Sequence, residues 1–265
     1  MKIGILGCAG RMGRILIAEV LATPDCTLSG GVEPGGASVG GDLGTLIGAP
    51  PVGVCATTDT KALFETSDAV IDFTIAAATK MHAGLAAETS TAFVIGTTGL
   101  SDDERVAIAS AAKKAPVVQA PNMSVGVNVL MALTEKLAAM LGSEFDIEIV
   151  EMHHRYKADA PSGTALGLGE SAAKGRAVEL ADVARRTRDG QTGARPRGEI
   201  GFATLRGGDV VGDHTVIFVA DGERIELTHK ASSRGIFARG AVRAALWTKS
   251  RTSGLYSMRD VLALD

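Results

Sequence analysis

The chain has 265 residues, and at roughly 150 residues per domain that leaves room for one large core or two modest ones. Hydrophobic residues make up 46% and charged residues 22%, which excludes a disordered, collagen-like or low-complexity protein. Lys plus Arg number 27 against 30 Asp plus Glu, a formal net charge of −3 that is too balanced for general nucleic-acid binding.

Residues Lys2 to Leu6 form a short β-prone run that ends in Gly7-Cys8-Ala9-Gly10-Arg11-Met12-Gly13 and passes into the helical pattern of Ile15, Leu16, Ala18, Val20 and Leu21. That is strand, glycine-rich turn, helix. A second strand, Thr27 to Val32, ends at Glu33; further apolar runs follow at Ala69 to Phe73, Ala92 to Ile95 and Pro116 to Gln119, separated by helical stretches at Ala76 to Ala87 and Asp102 to Lys114. The alternation predicts an α/β first half, a doubly wound parallel sheet of the Rossmann type. After Ser124 the pattern changes to a long apolar helix, about Val127 to Leu141, and then an alternating strand, Ile147, Ile149 and Glu151, running into His153-His154. A Gly/Arg-rich stretch spans Thr187 to Arg197, and strands are expected at Ile200 to Leu205, His214 to Ala220 and Arg224 to His229, with Asp221-Gly222 as a type I′ turn. The second half therefore reads as α+β. A final helix, Ala238 to Lys249, carries the only Trp, Trp247.

No apolar run approaches the roughly 20 residues of a membrane span, and the N-terminus enters a strand without the regions of a signal peptide. A soluble, cytoplasmic protein without a membrane partner is expected. Cys8, Cys26 and Cys55 are an odd count with no C-x-x-C spacing, which argues against a disulfide framework and a zinc site.

Two segments carry chemistry. In the first, Gly7, Gly10 and Gly13 sit where backbone N–H groups and the helix dipole can hold a pyrophosphate, and Glu33, 20 residues beyond Gly13, stands where a carboxylate takes ribose hydroxyls. Ala9 replaces the usual second glycine, and a turn used only for packing helix on sheet would look similar. Gly96-Thr97-Thr98-Gly99 and Ala120-Pro121-Asn122-Met123 end two predicted parallel strands, where ligands of open α/β sheets sit. The second segment is Glu151 to Thr164. Two imidazoles, an ammonium and a guanidinium (His153, His154, Lys157, Arg155) precede Ser162-Gly163-Thr164 at a helix start, a combination suited to a carboxylate and to proton donation. A capped helix start beside a solvated basic loop is the plainer reading of either part alone. A metal is not expected, because adjacent histidines on a strand point to opposite faces.

At this segment the sequence resembles the 4-hydroxy-tetrahydrodipicolinate (dihydrodipicolinate) reductase family, nearly end to end. The pattern E-x-H-H-x-x-K-x-D-x-P-S-G-T-A is complete from Glu151 to Ala165, and further matches are Gly7 to Gly13, Gly96 to Gly99, Asn122 to Asn128, Ile200 to Thr204 and His229 to Arg234. The resemblance implies reduction of 4-hydroxy-tetrahydrodipicolinate to tetrahydrodipicolinate by NADH or NADPH, with loss of water, in lysine biosynthesis through diaminopimelate. It implies a homotetramer, a dinucleotide-binding domain over 1–124, a substrate-binding and oligomerisation domain over 125–234, and a segment 235–265 that returns to the first domain. His153 and Lys157 would be catalytic; His154, Ser162, Gly163 and Thr164 would bind the dicarboxylate substrate. Gly7, Cys8, Ala9, Gly10, Arg11, Met12, Glu33, Gly96, Thr97, Thr98, Ala120, Pro121, Asn122 and Met123 would contact the cofactor. One departure bears on cofactor choice: many relatives have Arg after the acidic residue that ends the second strand, and here it is Pro34. A 2′-phosphate beside Glu33 then has only Arg11 as a nearby cation, so NADH is the expected preference. Another two-domain NAD(P)-dependent dehydrogenase would leave the His153-His154 pair unexplained, and a dinucleotide sensor would need an interaction element that the sequence does not display.

Overall fold

A computed structural model describes residues 1–264. In chain order the first part runs β1 (Lys2–Leu6), α1 (Arg11–Ala22), β2 (Thr27–Val32), α2 (Leu43–Leu46), β3 (Ala56–Thr57), α3 (Thr60–Thr66), β4 (Ala69–Asp72), α4 (Ala76–Thr89), β5 (Ala92–Ile95), α5 (Asp102–Ala111) and β6 (Pro116–Gln119). There follow α6 (Val125–Leu141), β7 (Asp146–His153), α7 (Gly163–Gly175), α8 (Leu180–Val183), β8 (Ala184–Arg185), β9 (Ile200–Arg206), β10 (Gly212–Ala220) and β11 (Glu223–Ala231). The chain closes with α9 (Gly235–Thr248), β12 (Gly254–Tyr256) and α10 (Met258–Leu262). It divides into two compact units, Met1–Val125 with Arg234–Ala263, and Gly126–Ser233.

The first unit is a seven-stranded sheet in the order β12-β6-β5-β4-β1-β2-β3, every pair parallel. Helices cover both faces, so β4 and β5 are buried throughout and read as unbroken apolar runs rather than alternating ones. On one face Leu16, Ile17 and Val20 of α1 pack with Ala238, Ala241 and Ala245 of α9; on the other Leu63, Phe64, Ala83 and Ile108 of α3, α4 and α5 fill the core. In α9, a Cβ on Gly240 would lie 1.7 Å from the Met123 carbonyl oxygen, so only glycine lets this helix approach the loop after β6. The short strands β3 and β12 and the helices α3 and α10 were not expected. Elements of two to seven residues are too short for a hydrophobic period to register.

The second unit is a five-stranded mixed sheet, β11-β10-β7-β9-β8. β10 is antiparallel to β7 and β11, while β9 is parallel to β7 and β8. Ile147, Ile149, Val216 and Phe218 face Leu130 of α6 and Ala165 and Leu168 of α7. Two expectations need correcting. Only Gly222 of the Asp221-Gly222 turn takes a positive φ, +86°, which has the φ signs of a type II turn and not of type I′, in which Asp221 would also have to adopt the left-handed region. The run Val125–Glu144, 20 residues at a mean hydropathy of 1.4, is long and apolar enough to cross a membrane by composition alone. In this fold it is the helix beneath the second sheet, with Glu135 paired to Lys174 of α7 at 2.9 Å.

Candidate active site

In the first unit, β1 ends in a turn whose backbone is almost fully engaged. The amides of Gly7 and Cys8 donate to the Val32 carbonyl at 2.8 and 3.2 Å, and the Gly10 amide donates to the Gly7 carbonyl at 3.0 Å. Gly7 has φ +66°, open to glycine at no steric cost. A Cβ on Gly13 would sit 2.1 Å from the Gly7 carbonyl oxygen, so the third glycine sets the close contact between α1 and the turn. Gly10 is the N-cap of α1 and contributes no side-chain cap, which leaves the amides of Arg11 and Met12 at the positive end of the helix dipole, the arrangement that holds a phosphate. The Ala9 amide donates to Glu33 Oε1 at 2.5 Å, tying the carboxylate at the end of β2 to the turn while its second oxygen stays available. These features fit a dinucleotide pyrophosphate and ribose. Cys8 contributes no reactive thiolate: burial and the neighbouring Glu33 push its thiol up to about 11.

Two hollows flank the turn. A cavity of about 670 Å³ is lined by Gly7, Ala9, Gly10, Glu33, Pro34 and Ile75 among others; a smaller one of about 300 Å³ is lined by Arg11, Met12, Gly96, Pro121, Asn122 and Met123, with Phe73, Arg234 and Phe237. Arg11 thus lines the second hollow, not the one shared by Glu33 and Pro34. The hydroxyl of Thr97 is turned inward onto Asp72 Oδ1 at 3.0 Å, and Ala120 is buried. Any cofactor contact from these two would run through backbone. Thr98 is exposed.

In the second unit, alternation along β7 buries Glu151 and His153 on the same face as Ile147 and Ile149. Glu151 is 2% exposed, and its carboxylate accepts from four donors: His153 Nδ1 at 2.5 Å, the Ser162 amide at 3.0 Å, and Arg206 Nη1 and Nη2 at 2.9 and 3.1 Å. Burial raises its pKa, but the bonds from Arg206, His153 and Ser162 outweigh burial and hold it below the usual carboxylate range. Glu151 is therefore ionised, so His153 carries its proton on Nδ1 and presents Nε2. Burial also pulls the His153 pKa down, against the opposing pull of Glu151, and the imidazole is neutral at pH 7. Its Nε2 lies beside Gly212, where a Cβ would come within 2.9 Å.

Arg206 also donates to the carbonyls of Lys157 and Asp159, so one guanidinium fixes both the buried carboxylate and the loop that follows β7. On that loop Lys157 Nζ pairs with Asp159 Oδ1 at 2.8 Å, and His154 is partly buried. Ser162 caps α7: its hydroxyl accepts from the Ala165 amide at 3.1 Å and lies 3.1 Å from His214 Nε2. The Ser162 side chain therefore braces the site from inside, whereas Gly163 is exposed at the helix start and Thr164 is partly so. His214, edge-on to His153 with ring centroids 5.0 Å apart, is pushed down to about 4 by burial. Arg206 and His214 were not among the expected site residues. The available signal was a polar residue on the buried face of a strand, His214 sharing the parity of Val216 and Phe218.

The comparisons agree with both halves. Residues 1–123 match the family model for the dihydrodipicolinate reductase N-terminus and residues 126–262 the model for its C-terminus. The 4-hydroxy-tetrahydrodipicolinate reductase of Methylocella silvestris is 54% identical over 265 residues, covering 100% of this chain and 97% of that protein. The enzyme of that name from Rhizobium meliloti is 52% identical over 267 residues, covering 100% and 98%. Among solved structures, a dipicolinate-bound dihydrodipicolinate reductase from Paenisporosarcina sp. TG-14 shares the fold, with a TM-score of 0.77 at 24% identity over 97% of each chain. With a parallel sheet built around a dinucleotide turn, a second unit carrying the complete histidine-lysine signature, and relatives above 50% identity over full length, the chain is an NAD(P)H-dependent oxidoreductase and belongs to the 4-hydroxy-tetrahydrodipicolinate reductase family.

Proposed function

We propose that Lys157 delivers the proton, and that His153, held by Glu151, orients the reacting ring, in the reaction of this family, the reduction of 4-hydroxy-tetrahydrodipicolinate to tetrahydrodipicolinate on the way to lysine. The substrate is a cyclic dicarboxylate. Once its 4-hydroxyl leaves as water, a carbon-carbon double bond stands conjugated to the ring imine. A bound nicotinamide would supply the hydride that reduces that double bond. Electron density then moves toward the nitrogen side of the conjugated system, and a proton must arrive there to complete the reduction. The observation that carries the assignment is the four-donor environment of Glu151, which fixes the His153 proton on Nδ1; burial keeps that imidazole neutral, which leaves the Lys157 ammonium as the acid. Gly163, Thr164 and His154 fit a substrate carboxylate at the start of α7.

In the first unit the amides of Arg11 and Met12 would hold the pyrophosphate and Glu33 the ribose hydroxyls of the adenosine half. Pro34 has neither charge nor N–H to offset a 2′-phosphate beside Glu33, and Arg11 lines the other hollow, so NADH is the preferred donor and NADPH the weaker one. The second sheet has one face covered by α6 and α7. Its other face carries Val150, Met152, Ala203, Leu205, Ile217 and Val219, which share strand parity in register; a second copy of this chain is the occupant we assign, consistent with a homotetramer in the cytoplasm. The experiment that tests the function is oxidation of NADH or NADPH coupled to a dihydrodipicolinate synthase that makes the unstable substrate in situ. Turnover should require that substrate and be inhibited competitively by pyridine-2,6-dicarboxylate; folded protein without turnover on either cofactor would contradict the reading.

A further inference from the structure

The carboxyl end of β4 carries a charge that this chemistry does not use. Asp72 is fully buried. Its Oδ1 accepts from the Thr74 amide at 2.8 Å, the Thr74 hydroxyl at 2.6 Å and the Thr97 hydroxyl at 3.0 Å, while Oδ2 faces His82 Nδ1 at 2.8 Å. His82, on α4, is 5% exposed. Burial raises the pKa of Asp72, but the bonds from His82 and Thr74 prevail and hold it below the usual range, so the carboxylate is ionised and His82 Nδ1 is the donor. A buried polar pair adds little stability over an apolar pair of equal volume. What this one adds is direction.

Two of the donor residues belong to the wall of the larger hollow, and the third, Thr97, follows a residue in the wall of the smaller one. Thr74, Ile75 and His82 line the larger cavity with Glu33, and Phe73 lines both. Gly96, next to Thr97, lines the smaller one, and its Cβ position lies 2.3 Å from the Phe73 ring, so the loop after β5 rests directly on the loop after β4. One carboxylate thereby joins three elements whose relative positions set the shape of the dinucleotide site: the β4–α4 loop, the β5–α5 loop and α4 itself.

We propose that Asp72 and His82 form a positioning pair for the dinucleotide, acting through Thr74, Thr97 and the Phe73–Gly96 contact and not by touching the reacting atoms. The proposal rests on the reading of these hollows as the cofactor site. It is tested by titrating the full-length protein with NADH, following nucleotide fluorescence, alongside steady-state kinetics and thermal unfolding. Asp72→Asn and His82→Leu should raise the Kd and KM for NADH about tenfold, as expected when a ligand site is slightly misplaced, while kcat at saturating NADH changes far less. His82→Asn, whose amide nitrogen can take the place of Nδ1, should restore the affinity to within about threefold of wild type. If Asp72→Asn or His82→Leu does not fold, Thr97→Val, which removes one bond to Asp72, decides: its Kd should rise severalfold. Folded variants that bind NADH as wild type does, whatever their melting temperature, would show a purely structural pair and overturn the proposal, as would His82→Asn no tighter than His82→Leu. A wild-type protein that binds neither NADH nor NADPH would instead overturn the dinucleotide reading itself.

Discussion

The end of β1 presents backbone: glycines that admit close contact, amides at a helix start, and a single carboxylate, Glu33, braced by the Ala9 amide. The end of β7 presents side chains whose charges are set by one another, with Glu151 shared among His153, Ser162 and Arg206. The first arrangement has donors that do not titrate and is sensitive to added atoms. The second is sensitive to pH and to loss of charge, because a buried carboxylate deprived of a partner stays buried. Substitutions can therefore be chosen to strike one unit and spare the other.

The largest effect on stability should come from Arg206→Ala. It leaves Glu151 with two of four donors and frees the loop at Lys157 and Asp159, and urea unfolding should show a loss of about 3 kcal/mol, the low end for breaking a buried pair because Arg206 is itself partly exposed. Arg206→Lys should recover only part, since an ammonium cannot reproduce the forked contact. An acid-dependent loss follows from His214. Its folded pKa, about 4, lies below the ordinary 6.5, so between those values the unfolded chain binds the extra proton and stability falls as pH falls through that window, by up to about 3 kcal/mol. His153 and Glu151 act in the same direction, Glu151 at lower pH. His214→Gln should flatten the pH dependence between about 6.5 and 4 while NADH binding stays unaffected. The smallest effect belongs to the first unit. Pro34→Arg supplies an exposed cation worth about 0.2 to 1 kcal/mol, so the ratio of kcat/KM for NADPH over NADH should rise severalfold with no change in the pH profile of stability.

The glycine turn and Glu33 were legible in the sequence because a turn, a helix start and a strand end are local, and Gly7, Gly13 and the 20-residue spacing to Glu33 encode them directly. The stretch from Glu151 to Ala165 was legible for the same reason. Arg206 and His214 were not, because sheet register creates their contacts: β9 brings Arg206 opposite His153 and β10 brings His214 opposite Glu151, across 53 and 63 residues of chain. The Asp72–His82 pair was hidden for a different reason, since it forms where α4 packs back on the end of β4. Asp72 ends a run that reads as purely apolar, and His82 lies in an alanine-rich helix whose sequence says nothing of the carboxylate beneath it. The inward turn of Ser162 and Thr97 is likewise a consequence of packing, invisible to spacing.

In the proposed function the two units divide the work, the first holding the hydride donor and the second supplying the proton. That division is checked by measuring, on His153→Gln and Lys157→Ala, both kcat in the coupled assay and Kd for NADH by fluorescence. For each variant kcat should fall by about 10² to 10⁴, the range for a lost acid-base or orienting group, with NADH Kd within about twofold of wild type. Near-normal kcat in either variant, or loss of NADH binding in step with kcat, would contradict it.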